Sequence, residues 1–408
     1  MKILYFHQHF STPAGSTGTR SYEMAKALVE AGHEVTMICG NYHGGVTGLS
    51  GSFQKGKRVG MVDGIRVVEL ELAYSNYQSF LKRSLIFLGF AIRSIAIALR
   101  DSCDLIIATS TPLTAGLPGI FARWLQKKRF VFEVRDLWPE LPKEMGVITN
   151  PVILGMLSFL EWVSYHSAHS CIGLSPGIVK GIKKRSRRGL PITMIPNGCD
   201  FELFYDNGIK PLRPAGVDER DFMAVFTGTH GIANGLDAVI DAAEVIKQRY
   251  RRDIKFVFIG DGRLKDRLRN DAKRKKLDNC IFLDPVPKGQ LVSYMKGANI
   301  GLMILADIPA FYYGTSPNKF FDYLSVGLPV LNNYHGWLAE MIKKFGFGYS
   351  VEPGNADSFA DALEDAADQP EKLKQMSSMS KKTGQRLFDR KKLAVKFVTW
   401  IEETEENK

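Results

Sequence analysis

The sequence predicts an α/β protein made of two consecutive strand–helix arrays, and three observations carry that expectation. Short, continuously apolar runs recur, each followed by a small-residue loop and a helical periodicity, which is the pattern of parallel strands buried on both faces. The pattern breaks off in a polar stretch rich in Pro and Gly, then restarts. At 408 residues the chain exceeds one ordinary core, and two large domains are the simplest division.

Element by element, "KILYF" reads as the first strand, "STPAGSTGTRS" as a loop, and "YEMAKALVEAGHEVTMICG" as a helix leading to a second strand. Met24, Ala27, Leu28 and Ala31 follow helical spacing, and Gly32 stands where a helix C-cap would be. "DLIIATS" (Asp104 to Ser110), "KRFVFEVRD" (Lys128 to Asp136) and "SCIGLSP" (Ser170 to Pro176) read as further buried strands with helices between them. The first half is therefore Rossmann-like. "DNGIKPLRPAGVDERD" (Asp206 to Asp221) has the composition of a linker. Beyond it "FMAVFTGTHGIANGLDAVIDAAEVI" repeats strand, Gly-rich loop and helix, and "KFVFIGDG", "CIFLD", "NIGLMIL" and "PVLNN" supply more strands. The expectation is two facing Rossmann-like domains, 1–205 and 206–385, with ligand in an interdomain cleft. In the last stretch, Leu393, Phe397, Trp400 and Ile401 share a helical face, so a C-terminal helix (386–408) should dock, with the first domain as its expected partner.

Composition narrows the class. Hydrophobic residues at 45% and charged residues at 24% are those of a globular protein. Five scattered cysteines show neither a CxxC nor a metal-ligand spacing, which fits a reducing, cytoplasmic compartment without disulfides or zinc. The first residues lack the apolar core of a signal peptide. The net charge of +11 is uneven, with 23 Lys/Arg against 14 Asp/Glu in residues 1–200 and 31 against 29 in the rest. The first half should therefore face something anionic, or simply carry a basic solvated surface. In "LKRSLIFLGFAIRSIAIALR" (Leu81 to Arg100), Lys82, Arg93 and Arg100 fall within about 20° of one another on a helical projection. The basic residues interrupt any membrane span. Two readings stay open: a core-packed helix with one basic stripe, and a helix lying in the bilayer interface.

The stretch "GTSPNKFFDYLSVGLPVLNN" (Gly314 to Asn333) carries the strongest chemical signal. Ser316 reads as an N-cap, Pro317 as the first helical residue, and Asn318 and Lys319 lie in the first turn. The free N–H groups of a helix N-terminus attract an anion, yet the same end disfavours a lysine. Lys319 in that place points to a bound phosphate. Asp322, one turn on, could accept hydrogen bonds from hydroxyl groups of the molecule that carries it.

"FFDYLSVGLPVLNN" resembles the donor-site segment of glycosyltransferase family 4, of the GT-B fold, in which an acid in a helix precedes a Gly-x-Pro-Val strand entry. "PAGSTGTRSYEMAKALVEAGHEVTMI" resembles that family's first Gly-rich loop and helix, "FEVRDLWPE" its fourth-strand segment, "IPNGCDFELF" its interdomain signature and "FIGDGRLKDRL" its second Gly-x-Gly loop. The resemblance covers nearly the whole chain. The wording of "VRDLWPE" and "SPNKFFDYL" is similar to a bacterial subgroup that includes L-fucosamine transferases of O-antigen and capsule assembly.

The resemblance implies a UDP-sugar donor, metal-independent hexosyl transfer with retention of configuration, and no cofactor. Asp322 would hold the ribose hydroxyls, while Ser316, Asn318 and Lys319 meet the diphosphate. Gly15, Gly18 and Gly260 would let backbone approach the donor, and Val286 lies in the base-recognising segment. Thr229 and Asn234 occupy places where the family usually has basic residues, and Gly314 the place of its second acid, which leaves Lys319 as the main cation. Arg135 takes the place of a His that points into the cleft in relatives. Glu133, Arg135 and Asp136 are the candidate catalytic residues on the acceptor side. His7 and His9 follow the first strand; their spacing admits a metal reading, but no carboxylate cluster accompanies them, so acceptor contact and a structural role remain. The expected partners are a nucleotide-sugar donor and a polyprenyl-diphosphate-linked acceptor at the cytosolic face of the inner membrane, met through the basic first half. A UDP-sugar epimerase and a non-catalytic binder are the competing classes. Nucleic acid is not expected, because the basic half lacks interleaved aromatic platforms, and neither Gly-rich loop is a full GxGxxG fingerprint of a dinucleotide dehydrogenase.

Overall fold

A computed structural model of the chain describes residues 1–42, 44–75, 77–204 and 208–406, with backbone only at 405 and 406. The described residues form two compact units. The first comprises residues 1–196, 314–316 and 391–408, and the second comprises 197–313 and 317–390. Both are Rossmann-like α/β structures.

The first unit holds an eight-stranded sheet: β1 (Lys2–Phe6), β2 (Glu34–Tyr42), β3 (Lys57–Val62), β4 (Ile65–Tyr74), β5 (Leu105–Thr109), β6 (Arg129–Val134), β7 (Ser170–Gly173) and β8 (Ile192–Met194), in the order β3-β4-β2-β1-β5-β6-β7-β8. All pairings are parallel except β3 with β4, a hairpin that the sequence reading left out. Its helices are α1 (Arg20–Glu30), α2 (Phe80–Arg100), α3 (Leu117–Gln126), α4 (Glu140–Glu144), α5 (Pro151–Ser167) and α6 (Pro176–Arg185). The central strands are apolar on both faces because both are covered. Phe90, Ala98, Ile120, Ala122, Tyr165 and Ile178 bring α2, α3, α5 and α6 onto one face, while Met24, Ala25 and Leu28 of α1 cover the other. Leu393, Phe397 and Ile401 join α1 on that second face, with the Phe397 ring stacked on Tyr5 at 6.5 Å.

The second unit runs through α7 (Phe201–Phe204), β9 (Phe222–Thr227), α8 (Asp237–Gln248), β10 (Ile254–Ile259), α9 (Lys265–Arg274), β11 (Cys280–Leu283), α10 (Lys288–Gly297), β12 (Ile300–Met303), α11 (Pro309–Gly314), α12 (Asn318–Val326), β13 (Val330–Asn332), α13 (Trp337–Phe345), β14 (Gly348–Ser350), α14 (Ala356–Asp368) and α15 (Pro370–Leu387). A last helix, α16 (Arg390–Glu406), returns the chain to the first unit. The six strands are all parallel, in the order β11-β10-β9-β12-β13-β14. Strand order reverses between β9 and β12 here, and between β1 and β5 in the first unit. In an open parallel sheet such a switch point leaves a crevice at the carboxyl ends of the strands, where ligands bind.

The boundary expected at 205/206 lies on residues 205–207, outside the described residues, and the units divide instead at 196/197. The segment read as a linker is tied down from residue 208 onward. Leu212 N–H donates to Ser293 O at 2.9 Å, and the Arg213 guanidinium donates to Asp218 O, Asp221 O and Asn299 Oδ1. Its Pro and Gly content shapes an anchored lead-in to β9.

Candidate functional site

In the second unit, α12 is the centre of the candidate site. It begins at Asn318, with Pro317 extended (φ −72°, ψ 129°) in the cap position and no side-chain cap bond. Ser316 is therefore not the N-cap expected from sequence: Pro317 itself is extended and takes the cap position, so the helix starts one residue later than expected. Lys319 lies in the first turn. Its ammonium sits 4.0 Å from the centre of the Phe226 ring, at the end of β9, and donates to Asn234 Oδ1 at 2.6 Å. Asn234 in turn donates to Thr229 O at 2.7 Å. Gly228 lies alongside, with a Cβ built on it falling 3.5 Å from Lys319 Cε. Thr229 and Asn234 thus meet Lys319, 85 residues further along the chain, beside the strand-order switch point.

Burial pushes the Lys319 ammonium down to about 7. No carboxylate among the described residues pairs with it. The contrast with Arg20 is instructive, since Arg20 is also a cation in the first turn of a helix, where the dipole opposes it. Arg20 is compensated: Nε and Nη2 donate to Glu133 Oε2 at 3.1 and 2.9 Å, and its other N–H groups reach Ile195 O and Pro196 O. Other cations of the second unit are also engaged. Lys265 donates to Gly260 O, Leu283 O and Asp284 Oδ1, joining the ends of β10 and β11. Lys319 alone of these three combines a place in the first turn of a helix, a half-buried, desolvated ammonium and no counter-charge, which is a site arranged for an anion.

Asp322 is buried. Desolvation raises its carboxyl above the ordinary value, opposed by the charges of Lys288 and Arg390 and reinforced by Asp200. Arg390 itself faces Asp200 at 3.6 Å and donates to Gly198 O. Lys288 and Arg390 were not singled out in the sequence, since no local pattern links residues 288 and 390 to 322. Val286 is half-buried in the loop from β11 to α10, which ends at Lys288. Gly260 has φ +148°, and a Cβ there would lie 1.9 Å from Gly228 O. Replacing Gly260 with Ala should cost roughly 2–4 kcal/mol of stability and displace the Gly228 loop; a urea midpoint equal to wild type would contradict this close approach. Asn318 and Ser316 flank the N-terminus of α12, half-buried, and Gly314 has nothing within 4 Å of a built Cβ.

In the first unit, His7, His9, Arg135 and Asp136 gather at the carboxyl ends of β1, β5 and β6. Arg135 Nη1 is 3.0 Å from His7 Nε2, and His7 Nδ1 is 2.5 Å from Ser21 Oγ. His9 Nδ1 lies 3.2 Å from Thr111 O, and its ring is surrounded by Tyr42, Tyr74 and Phe87. Thr111 Oγ1 donates to Asp136 Oδ2 at 2.9 Å. Burial, aided by Arg135, lowers both imidazoles, His9 to about 4, so both are neutral at pH 7. Burial raises the Asp136 carboxyl, against the hydrogen bond from Thr111 and the charge of Arg135. Glu133 stands apart from this group. It is fully buried, with Oε2 on Arg20 and Oε1 accepting from Thr109 at 2.8 Å, so both oxygens are occupied and it is closed to substrate. Burial alone would raise its carboxyl, but the charge and hydrogen bonds of Arg20 overrule this and hold it below the ordinary value. Its partner Arg20 escaped the sequence reading, although a basic residue opening a helix was the available signal.

Gly15 is buried in the first loop, where a Cβ would fall 2.3 Å from Ser11 Oγ, and Gly18 is half-buried. Among the described residues no group of three His, Cys, Asp or Glu side chains could hold a metal ion.

Comparison with known proteins accords with this geometry. Residues 15–198 match the family model described as a glycosyl transferase 4-like domain, and residues 212–383 match that of glycosyl transferases group 1. Among solved structures, sucrose-phosphate synthase from Thermosynechococcus elongatus is similar over 100% of both chains (TM-score 0.78, 16% identity). HepE from Anabaena in complex with UDP-glucose is similar over 99% of this chain and 100% of its own (TM-score 0.67, 16% identity). WaaG, a glycosyltransferase involved in lipopolysaccharide biosynthesis, is similar over 98% and 99% (TM-score 0.68, 13% identity). No match was found among curated protein sequences. The two family models together span most of the chain, each on one of its Rossmann-like halves and each describing a glycosyl transferase domain, and the chain is a glycosyltransferase of the GT-B fold.

Proposed function

We propose that the protein is a retaining, metal-independent glycosyltransferase that moves a hexose-type sugar from a UDP-sugar to a polyprenyl-diphosphate-linked acceptor. The process served is bacterial surface polysaccharide synthesis at the cytosolic face of the membrane. An N-acetylated or deoxyamino sugar fits the fucosamine-transferase-like wording of the sequence. The observation that carries the donor side is Lys319, a half-buried, desolvated ammonium at a helix N-terminus with no counter-charge among the described residues. A diphosphate supplies that charge. Solved structures of similar fold hold UDP, UDP-glucose or UDP-2-fluoro glucose, which supports a UDP-sugar as donor. In this reading Lys319 and the N–H groups of α12 stabilise the leaving diphosphate as the glycosidic bond breaks. Asp322 takes the ribose hydroxyls, Val286 flanks the base, and the Gly260 loop admits the diphosphate at close range. The leaving phosphate oxygen accepts the proton of the incoming hydroxyl on the same face, so no protein nucleophile is required. His7, His9, Arg135 and Asp136 face the acceptor.

The test is a thermal-shift screen of UDP- and GDP-sugars, followed by mass spectrometry with lipid-linked sugar acceptors. A glycosylated lipid is the expected product; an epimerised donor formed without acceptor would instead identify an epimerase. The pH dependence has a defined sign. Lys319 titrates near 7 in the free protein, and a bound diphosphate raises that value, so above pH 7 binding takes up a proton. Affinity for a UDP-sugar, whose diphosphate does not titrate near neutrality, should fall as pH rises from 7, by up to about tenfold per unit. Calorimetry in buffers of different ionisation enthalpy should register the uptake, and its absence would remove Lys319 from the phosphate site.

A further inference from the structure

The outer layer of the first unit carries a surface that its fold does not require. On α2, Leu81, Leu85, Leu88 and Ile92 recur at helical spacing on the exposed side, while only Phe90, Ala91, Ser94 and Ala98 are buried. The neighbouring α3 exposes Phe121, Trp124 and Leu125, and Trp124 Nε1 donates to Ser167 Oγ at the end of α5. On α5, Met156 and Phe159 are 67% and 65% exposed, and Phe159 stacks on the exposed Trp162 at 6.1 Å. Three adjacent helices on the same face of the sheet thus present large apolar side chains to water, well beyond the scattered apolar residues normal for a surface. Sequence reading singled out only α2.

The charges on these helices are one-sided. Lys82, Arg93 and Arg100 of α2 are exposed, and α2 and α3 contain no acid at all. The one carboxylate of the three helices, Glu161, is buried and held by Arg185 of α6 at 2.8 Å. Next to α5, α6 ends in Lys183, Lys184 and Arg185. The opposite layer differs, since α1 and α16 mix acids with bases.

We infer that the face formed by α2, α3 and α5 docks on an anionic lipid bilayer, its apolar side chains in the acyl boundary and its Lys and Arg side chains at the head groups. Charge complementarity selects this occupant. A second copy of the chain seated on the same face would bring cations against cations, without a carboxylate to pair them. No helix among the described residues is long and apolar enough to cross a membrane, so the helices lie along the interface. The inference deepens the proposed function, resting on it for the membrane-bound acceptor, but it stands on separate residues.

The full chain should co-float with phosphatidylcholine vesicles containing about 30 mol % phosphatidylglycerol, at least about tenfold more strongly than with phosphatidylcholine alone. The double substitution Met156→Ser, Phe159→Ser should weaken this partition by roughly tenfold or more, and Lys82→Glu should diminish the anionic preference, both with an unchanged UDP-sugar thermal shift. Failure to co-float overturns the inference, as does equal partition of the double variant. A concentration-dependent dimer abolished by the same substitutions overturns it in favour of a second copy. Vesicle binding without UDP-sugar binding leaves this inference standing and overturns the donor assignment, whereas UDP-sugar binding without vesicle binding does the reverse.

Discussion

Lys319→Met should reduce kcat/KM by on the order of 10²–10³ and weaken UDP-sugar binding by roughly 10–100-fold, while leaving the free protein more stable than wild type. The two effects have one cause. Burial drives the Lys319 ammonium to about 7, so below that pH the free protein holds a desolvated charge whose visible partners are an amide oxygen and an aromatic face. Met keeps the length and the contact with Phe226 but removes the charge, with a gain of roughly 1–2 kcal/mol. The gain should be largest below pH 7, where the lysine is charged, and should shrink as pH rises from about 7 toward the ordinary lysine range. Lost turnover with a raised melting temperature cannot be ascribed to unfolding. Steady-state kinetics and calorimetry on the same preparation check this, and a variant that transfers sugar at the wild-type rate would dismiss the phosphate assignment.

The second large effect lies in the first unit. Glu133→Gln should destabilise it by about 3–5 kcal/mol, because Arg20 then remains buried at a helix N-terminus without a counter-charge. Arg20→Met combined with Glu133→Gln should recover part of that loss, and a double-mutant cycle measures how much. The pH sign follows from the lowered carboxyl of Glu133. Its stabilisation is complete above the ordinary glutamate value, near 4.5, and disappears as pH falls through the lower value of the folded state. Calorimetric unfolding across that window should show the loss in wild type and a flatter profile in the double variant.

These two residues also show what the sequence makes legible. Lys319 could be singled out because its conflict with the helix dipole is local, set by the order Ser-Pro-Asn-Lys within a single turn. The alternation of apolar runs and small-residue loops is local in the same sense, which is why both Rossmann-like halves could be read. The partner of Glu133 is not legible, because a carboxylate near the end of a strand gives no indication of whether a cation 113 residues away in sequence meets it. The partners of Asp322 were invisible for the same reason, as Lys288 and Arg390 reach it only after the second unit has folded. The exposed apolar layer was legible on α2 alone, where basic residues interrupt the apolar run. On α5 the run "VILGMLSFLEWV" looks the same whether it is buried or exposed.

The return of α16 to the first unit has a consequence for how the protein is made. Leu393, Phe397 and Ile401 close the same apolar layer that Tyr5, Met24 and Leu28 open, and nearly the whole second unit is synthesised between them. As the chain emerges from the ribosome, the first unit has its sheet and one covered layer, but the other layer stays partly bare until the final helix arrives. The half that is translated first is therefore completed last. Until then its uncovered strands are the part of the nascent chain most exposed to aggregation and to chaperones.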